Sequence, residues 1–467
     1  MEVEIMEAVL KEVLRRVKPR GSDAAKLSKV VGELLEMVES TCKKLGVNAR
    51  AALVGSAARA TWLRTEKDID IFILFPETVS REELERQGLA VARGVAGKKG
   101  EERFAEHPYV TIDYKGFQVD LVPAYDVSDP NMIKSAVDRT PHHQAYVKKR
   151  LTPELAEQVL LVKQFMQGVG VYGSEYRTRG FSGYLCELLV LYHGSLKGLV
   201  EAAAGWALGA VIDIEKFYPS DLEPRTIFTG EVLIVVDPVD PKRNVASAVS
   251  LKSLAEFILA CQDFVREPKL GFFFPRLVKP IAPGDLKKQL KRRGTRLFCV
   301  AFRPPDVVED VLFPQLRRTE RAIRGRMAQS GFQVFRSDVW SEGDLAVILI
   351  ELAISKLPKA QARLGPPVTL GSEKFIDEHI SSKAKLAGPL VDEGGRVFFE
   401  LERKETDARQ SLSRFLAEGI GFGKDVFNAV RRNHQLLEGV EVARLFRNRG
   451  FKEFISDYLP RSLPWYR

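Results

Sequence analysis

Residues 67 to 73 read Lys-Asp-Ile-Asp-Ile-Phe-Ile, an apolar, β-branched run carrying acids at i and i+2. Alternation along a strand sends Asp68 and Asp70 from one face while Ile69 and Ile71 enter the core. Their Cα atoms then lie roughly 6.6 Å apart, which suits carboxylates converging on metal ions about 3.5 to 4 Å apart. A third acid, Asp120, stands in a second short apolar strand, Phe117 to Val122. Three clustered carboxylates repel one another unless cations neutralise them, and ligation by oxygen alone selects Mg²⁺, with two ions expected and Mn²⁺ as a substitute. Taken alone, an Asp-x-Asp pair is common and reads first as the solvent-facing side of a half-buried strand.

The segment upstream narrows that choice. Gly55-Ser56 follows the apolar run Ala51 to Val54 and precedes Ala57-Ala58-Arg59, a helix start. Glycine lets a phosphate approach the backbone, N-terminal N–H groups and the Ser56 hydroxyl hold its oxygens, and Arg59 adds a charged fork. Gly55, Ser56 and Arg59 thus read as a phosphate site a dozen residues before the acids.

The remaining pattern describes an α+β multidomain chain. At 467 residues, a prior of about 150 residues per domain suggests roughly three. Met6 to Val17 and Leu27 to Leu45 carry apolar residues at helical spacing, with Pro19 and Gly21 between them and Ser22 or Asp23 as the cap of the second. The runs 51–54, 69–75, 109–114 and 117–122 read as strands, the last two joined by a Lys115-Gly116 turn. Residues 152–267 look mainly helical, and the Pro- and Gly-marked stretch 268–284 ends that region. Beyond it, strand 297–302, an Arg-rich helix over 307–330 and strands at 333–339 and 345–352 predict a ferredoxin-like β-α-β-β element. Strand 396–403 and two further helices follow. We therefore expect domains at 1–150, 151–270 and 271–467.

A net charge of +9 favours polyanionic partners. Cys42, Cys186, Cys261 and Cys299 are widely separated, which points to buried free thiols rather than a zinc or redox motif. The start MEVEIMEAVLKEVL lacks the pattern of a signal peptide. The longest apolar run, 345–354, is broken by Glu351 and is too short to span a membrane. A cytoplasmic protein with no membrane partner is expected, and a homodimer stays open.

The order strand, Gly-Ser, helix, Asp-x-Asp and later Asp resembles the polymerase-β-type nucleotidyltransferase superfamily. Four longer stretches, AEHPYV (105–110), KSAVDRTPHHQAYV (134–147), VYGSEYRTRGFSGYLCELL (171–189) and VDPVDPKRNVA (236–246), are similar to archaeal, class I CCA-adding enzymes. The resemblance implies a nucleotidyltransferase head, an α-rich neck that reads the base, and an α+β body and tail that hold tRNA, with CTP and ATP as substrates. It implies that Asp68, Asp70 and Asp120 are catalytic metal ligands and that His143, Lys163 and Tyr172 surround the triphosphate and sugar. Arg243 matches the arginine that hydrogen-bonds the incoming base. Without the family, Lys163 and Tyr172 read as surface residues beside a Gly-rich loop, His143 as a helix N-terminal residue and Arg243 as part of a solvated turn. In place of the small pair that often precedes the acids in the family, this chain has Arg64-Thr65-Glu66-Lys67.

Lys287, Lys288, Lys291, Arg292 and Arg293, followed by Arg317 and Arg318, are candidate RNA-phosphate contacts or simply solvated helix faces. Trp465 and Tyr466 are read as core packing, with base stacking as the alternative. The activity expected is stepwise, template-independent addition of C, C and A to the tRNA 3′ end. A poly(A) polymerase, another RNA or small-molecule nucleotidyltransferase, and a non-catalytic RNA-binding protein with a relict core remain the alternatives.

Overall fold

The computed structural model describes residues 2–104, 108–127, 137–460 and 462–467. Residues 105–107 and 134–136, which open two of the family-like stretches, lie outside the described residues. The chain forms two compact units, one of residues 1–277 with 462–467, the other of residues 278–461.

The first unit opens with helices α1 (Glu2–Val17) and α2 (Gly21–Leu45). The start of α2 is two or three residues earlier than a cap at Ser22 or Asp23 would make it: Arg20 is the cap, and the Asp23 carboxylate accepts from its backbone N–H at 2.9 Å. There follow β1 (Arg50–Val54), α3 (Gly55–Arg59), β2 (Asp68–Phe75), α4 (Arg81–Ala96), β3 (Glu101–Phe104), β4 (Pro108–Tyr114) and β5 (Phe117–Tyr125). Lys115 and Gly116, both at positive φ, make the β4–β5 turn. The five strands stand in the order β1-β2-β5-β4-β3, with β2 and β5 parallel and the other neighbours antiparallel. Ile69, Ile71, Ile73, Val119 and Leu121 pack with Leu34 and Val38 of α2 and Val91 of α4. Burying that one face leaves Asp68 and Asp70 on the other.

Next come α5 (Arg139–Arg150), α6 (Pro153–Val169), α7 (Gly183–His193), α8 (Leu196–Ala203), β6 (Ala210–Ile212), α9 (Leu222–Ile227), β7 (Leu233–Asp237), β8 (Asp240–Asn244) and α10 (Leu251–Arg266). The helical expectation for this region omits a three-stranded sheet, β6-β7-β8. Its central strand is Leu-Ile-Val-Val-Asp, buried at every position, so no alternation marks it. Phe165 of α6 anchors a core with Phe257, Phe264, Phe272 and Phe273, and Trp465 stacks on Phe272. Trp465 is thus a core residue, its indole N–H donating to Asp263 at 2.9 Å.

The second unit contains α11 (Pro283–Arg293), β9 (Arg296–Phe302), α12 (Glu309–Gln329), β10 (Val334–Glu342) and β11 (Leu345–Leu352). After an inserted sheet of β12 (Ala360–Pro367), β13 (Lys385–Val391) and β14 (Arg396–Glu402), with α13 (Glu373–Ile380), come α14 (Ala408–Glu418), α15 (Lys424–Arg432), β15 (His434–Glu438) and α16 (Arg449–Tyr458). The order β10-β11-β9-β15, antiparallel throughout, is that of a ferredoxin-like sheet. Phe298, Val300 and Phe302 face α12, α14 and α15, whereas Leu297, Cys299 and Ala301 face α11 and α16. All four cysteines are free and buried. Among the described residues no helix is long and apolar enough to cross a membrane.

Candidate active site

The parallel register of β2 and β5 sets Asp70 directly beside Asp120, although fifty residues separate them in sequence. On the other side of β5, Thr111 stands opposite Asp120 and its hydroxyl donates to Asp120 Oδ1 at 2.6 Å. Asp70 lies against the backbone of Gly55: a Cβ there would meet Asp70 Oδ2 at 2.1 Å. Gly55 also adopts φ +73°, which disfavours other residues.

The acids strain one another electrostatically. Burial, then the carboxylates of Asp120 and Asp68, push Asp70 up to about 6. Burial and the charges of Glu66 and Asp120 raise Asp68. Among the described residues no three His, Cys, Asp or Glu side chains already converge as a ready-made set of metal ligands. The mutual repulsion that raises Asp68 and Asp70 is the force a divalent cation would offset. The residues therefore fit a divalent metal site chemically: hard oxygen donors, held by neighbouring strands, carrying more negative charge than they tolerate alone.

A cavity of roughly 420 Å³ opens on this face, lined by Gly55, Ser56, Arg59, Glu66, Asp68, Asp70, Lys163, Gln167, Tyr172, Gly183, Tyr184 and Glu187. Seven of the residues singled out from sequence line it; Asp120 adjoins it through Asp70, and His143 and Arg243 lie behind its wall. Lys163 is 2% exposed, so it is no surface lysine. Its ammonium donates to Glu66 Oε2 at 3.4 Å and sits 5.8 Å from the Tyr172 ring. Tyr172 donates its hydroxyl to Glu66 Oε1 at 3.3 Å, and burial followed by the Glu66 charge raises its pKa. Arg59 is anchored, with Nε on Glu187 Oε1 at 2.9 Å and Nη1 on Gln144 at 2.6 Å. Thr61 donates to the same Glu187 oxygen at 2.6 Å.

Behind Tyr184, the fully buried Asp237 gathers the remaining residues. His143 Nε2 donates to Asp237 Oδ2 at 2.9 Å, Arg243 Nη1 to the same oxygen at 2.7 Å, and Tyr184 to Oδ1 at 3.4 Å. The His143 and Tyr184 rings stack at 4.1 Å. Burial lowers the His143 pKa, which favours the neutral ring, and the Asp237 carboxylate, able only to accept, selects the tautomer with its proton on Nε2. Burial would raise Asp237, but its bonds from His143, Val239 and Arg243 hold it below the usual carboxylate range. Arg243 is therefore fixed at one Nη while over a third of its side chain stays exposed.

Gln144, Tyr184, Glu187 and Asp237 are not marked as site residues by the sequence, and Glu66 stands out there only as a departure from the family pattern. Gln144, Tyr184, Glu187 and Asp237 all fall inside family-like stretches, but no local pattern sets them apart there; Glu187 is buried in α7 within an apolar run.

The basic runs lie in the second unit. Lys287, Lys288, Lys291 and Arg292 are exposed on α11, while Arg293 is engaged by the buried Glu351, Nε to Oε1 at 2.7 Å. Arg318 on α12 donates to the Gly421 carbonyl at 3.2 Å, and Arg317 is half-buried. Because α11 and α12 cover opposite faces of one sheet, the two runs do not form one patch.

Residues 34–143 match the family model of the nucleotidyltransferase domain, 157–274 that of the tRNA nucleotidyltransferase second domain, and 293–439 that of the CCA-adding enzyme C-terminal domain. The chain is 42% identical to a CCA-adding enzyme of Methanosarcina barkeri over 93% of its own length and 94% of the relative's. It is 40% identical to that of Methanosarcina mazei (98% and 99% covered) and 37% identical to that of Archaeoglobus fulgidus (93% and 95%).

Proposed function

Because the chain belongs to the CCA-adding enzymes, we propose that it adds C, C and A in turn to the 3′ end of tRNA, taking CTP and ATP and releasing pyrophosphate at each step. The observation that carries this reading is the one cavity in which Gly55, Ser56 and Arg59 meet Asp68, Asp70, Lys163 and Tyr172. Nucleotidyl transfer needs a triphosphate site and carboxylates within reach of each other, and this juxtaposition of a Gly-Ser turn, basic side chains and two acids supports that reading.

Asp68, Asp70 and Asp120 would hold the divalent ions, two Mg²⁺ or in their place Mn²⁺, which would neutralise the acids, lower the pKa of the attacking hydroxyl and offset charge on the triphosphate. Thr111 fixes the plane of the Asp120 carboxylate through Oδ1. Ser56 offers a hydroxyl to a phosphate, Lys163 a buried positive charge, and Tyr172 a hydroxyl and a flat ring face for the sugar. Asp237 orients both His143 and Arg243. With one Nη committed, the remaining Arg243 N–H groups suit acceptors on either cytosine or adenine. In this scheme residues 1–150 carry the chemistry, 151–270 read the base, and 271–467 hold the tRNA. The exposed bases on α11 would then track phosphates and duplex shape rather than sequence.

The test is incubation of the protein with Mg²⁺, labelled CTP or ATP and a tRNA lacking its terminal CCA. Growth that stops after three nucleotides is expected. Unlimited growth identifies a poly(A)-type polymerase instead. No incorporation, with tRNA binding indifferent to Mg²⁺ and to Asp70→Asn, identifies a binding protein with a relict core.

A further inference from the structure

The cavity holds two cations, and both are already engaged. Arg59 is gripped at short range by Glu187 and Gln144 with its side chain almost wholly buried. Lys163 is different: among the described residues its carboxylate partner is Glu66, at 3.4 Å, near the long limit of a hydrogen bond. Tyr172 meets the other oxygen of that carboxylate at a similarly long 3.3 Å. Glu66 is positioned by its own backbone. Its N–H donates to the Leu63 carbonyl at 2.7 Å and the Leu63 N–H donates to its Oε2 at 3.0 Å, closing a tight reciprocal turn. A carboxylate fixed in this way presents two anionic oxygens to an ammonium and a phenol, much as a phosphate would. It also adds negative charge beside Asp68, part of whose raised pKa is due to it.

We propose that Glu66 is an internal stand-in for a nucleotide phosphate: it holds Lys163 and Tyr172 in place while the pocket is empty and surrenders them to the triphosphate, thereby setting nucleotide affinity. This rests on the reading that Lys163 and Tyr172 receive the triphosphate and sugar. Glu66 acts through those two residues and is a positioning residue. Its contacts to Lys163 and Tyr172, at 3.4 and 3.3 Å, are looser than those that hold Arg59, at 2.9 and 2.6 Å, so an incoming phosphate displaces them in preference to the Arg59 network. The cost of displacement, added to repulsion between Glu66 and the phosphates, weakens binding of CTP and ATP alike, because neither contact involves the base.

Calorimetric titration of ATP and of CTP, with Mg²⁺, into the full chain tests this. Glu66→Gln keeps the shape and the Leu63 contact but removes the charge. The expected result is a Kd lower by on the order of five- to tenfold for both nucleotides, with the gap narrowing as salt rises. KM should fall in parallel while kcat changes little. A purely structural role would not tighten binding. An unchanged or raised Kd in a folded variant, judged by its thermal transition, overturns the proposal. Should Glu66→Gln fail to fold, Glu66→Ser carries the same expectation and the same overturning result. Lys163→Ala separates the two layers. If it leaves nucleotide binding intact, the underlying reading of Lys163 fails. If it weakens binding while Glu66→Gln fails to tighten it, only the stand-in role fails.

Discussion

At the scale of single residues, the acids depend on neighbours that carry no charge. Gly55 leaves room for Asp70, since a methyl group would occupy the place of Oδ2. Gly55→Ala should therefore displace the carboxylate and lower transfer by at least about a hundredfold, as misplacements near 1 Å do. Its stability loss should stay modest, and activity measured beside the thermal transition checks both. Thr111 holds Asp120 by one short hydrogen bond. Thr111→Val should lower kcat by about 10- to 100-fold, with Thr111→Ser restoring most of it and KM for nucleotides little changed. Steady-state kinetics of the three proteins decide that point. Asp68 and Asp70 were legible as same-face residues because alternation in a strand is a local rule. Glu66 was legible only as an oddity, because its partners lie about a hundred residues away in sequence.

At the scale of elements, β11 shows how an apolar run accommodates one charge. Glu351 is fully buried in it and accepts from Arg293, Arg336 and Thr295. Removing the carboxylate leaves two guanidinium groups without their partner, so Glu351→Ala should cost about 3 to 5 kcal/mol, read by chemical denaturation. Burial alone would raise this carboxyl, yet its three donors hold it below the usual value. A depressed carboxyl stabilises the fold above its unfolded pKa, about 4.3, and that contribution drains away as pH falls through the lower folded value. The stability gap between the parent and Glu351→Gln should accordingly be largest near neutrality and shrink below about pH 4. Helices and hairpins of this chain follow from periodicity and turn residues. The sheet β6-β7-β8 does not: its central strand β7 is buried at every position and so loses the alternation that would reveal it, and β6 is only three residues long.

At the scale of the whole molecule, the chain leaves its first unit at residue 277 and returns at 462. Trp465 then fills the phenylalanine core and binds Asp263. Trp465→Ala should destabilise the first unit by about 3 to 5 kcal/mol. If the two units melt separately in calorimetry, only one transition should move. Equal shifts in both would contradict the assignment of this segment to the first unit alone. The sequence by itself determined the α+β class, the paired acids on one strand face, the Gly-Ser turn before them and the family, since each rests on local periodicity, spacing or contiguous likeness. Only the tertiary structure decided that Asp120 stands beside Asp70, that Asp237 gathers His143 and Arg243, that Glu66 occupies Lys163 and Tyr172, and that the basic helices face apart. Those are contacts between distant segments, set by strand register and by which faces must be buried together, and no local pattern in the chain encodes them.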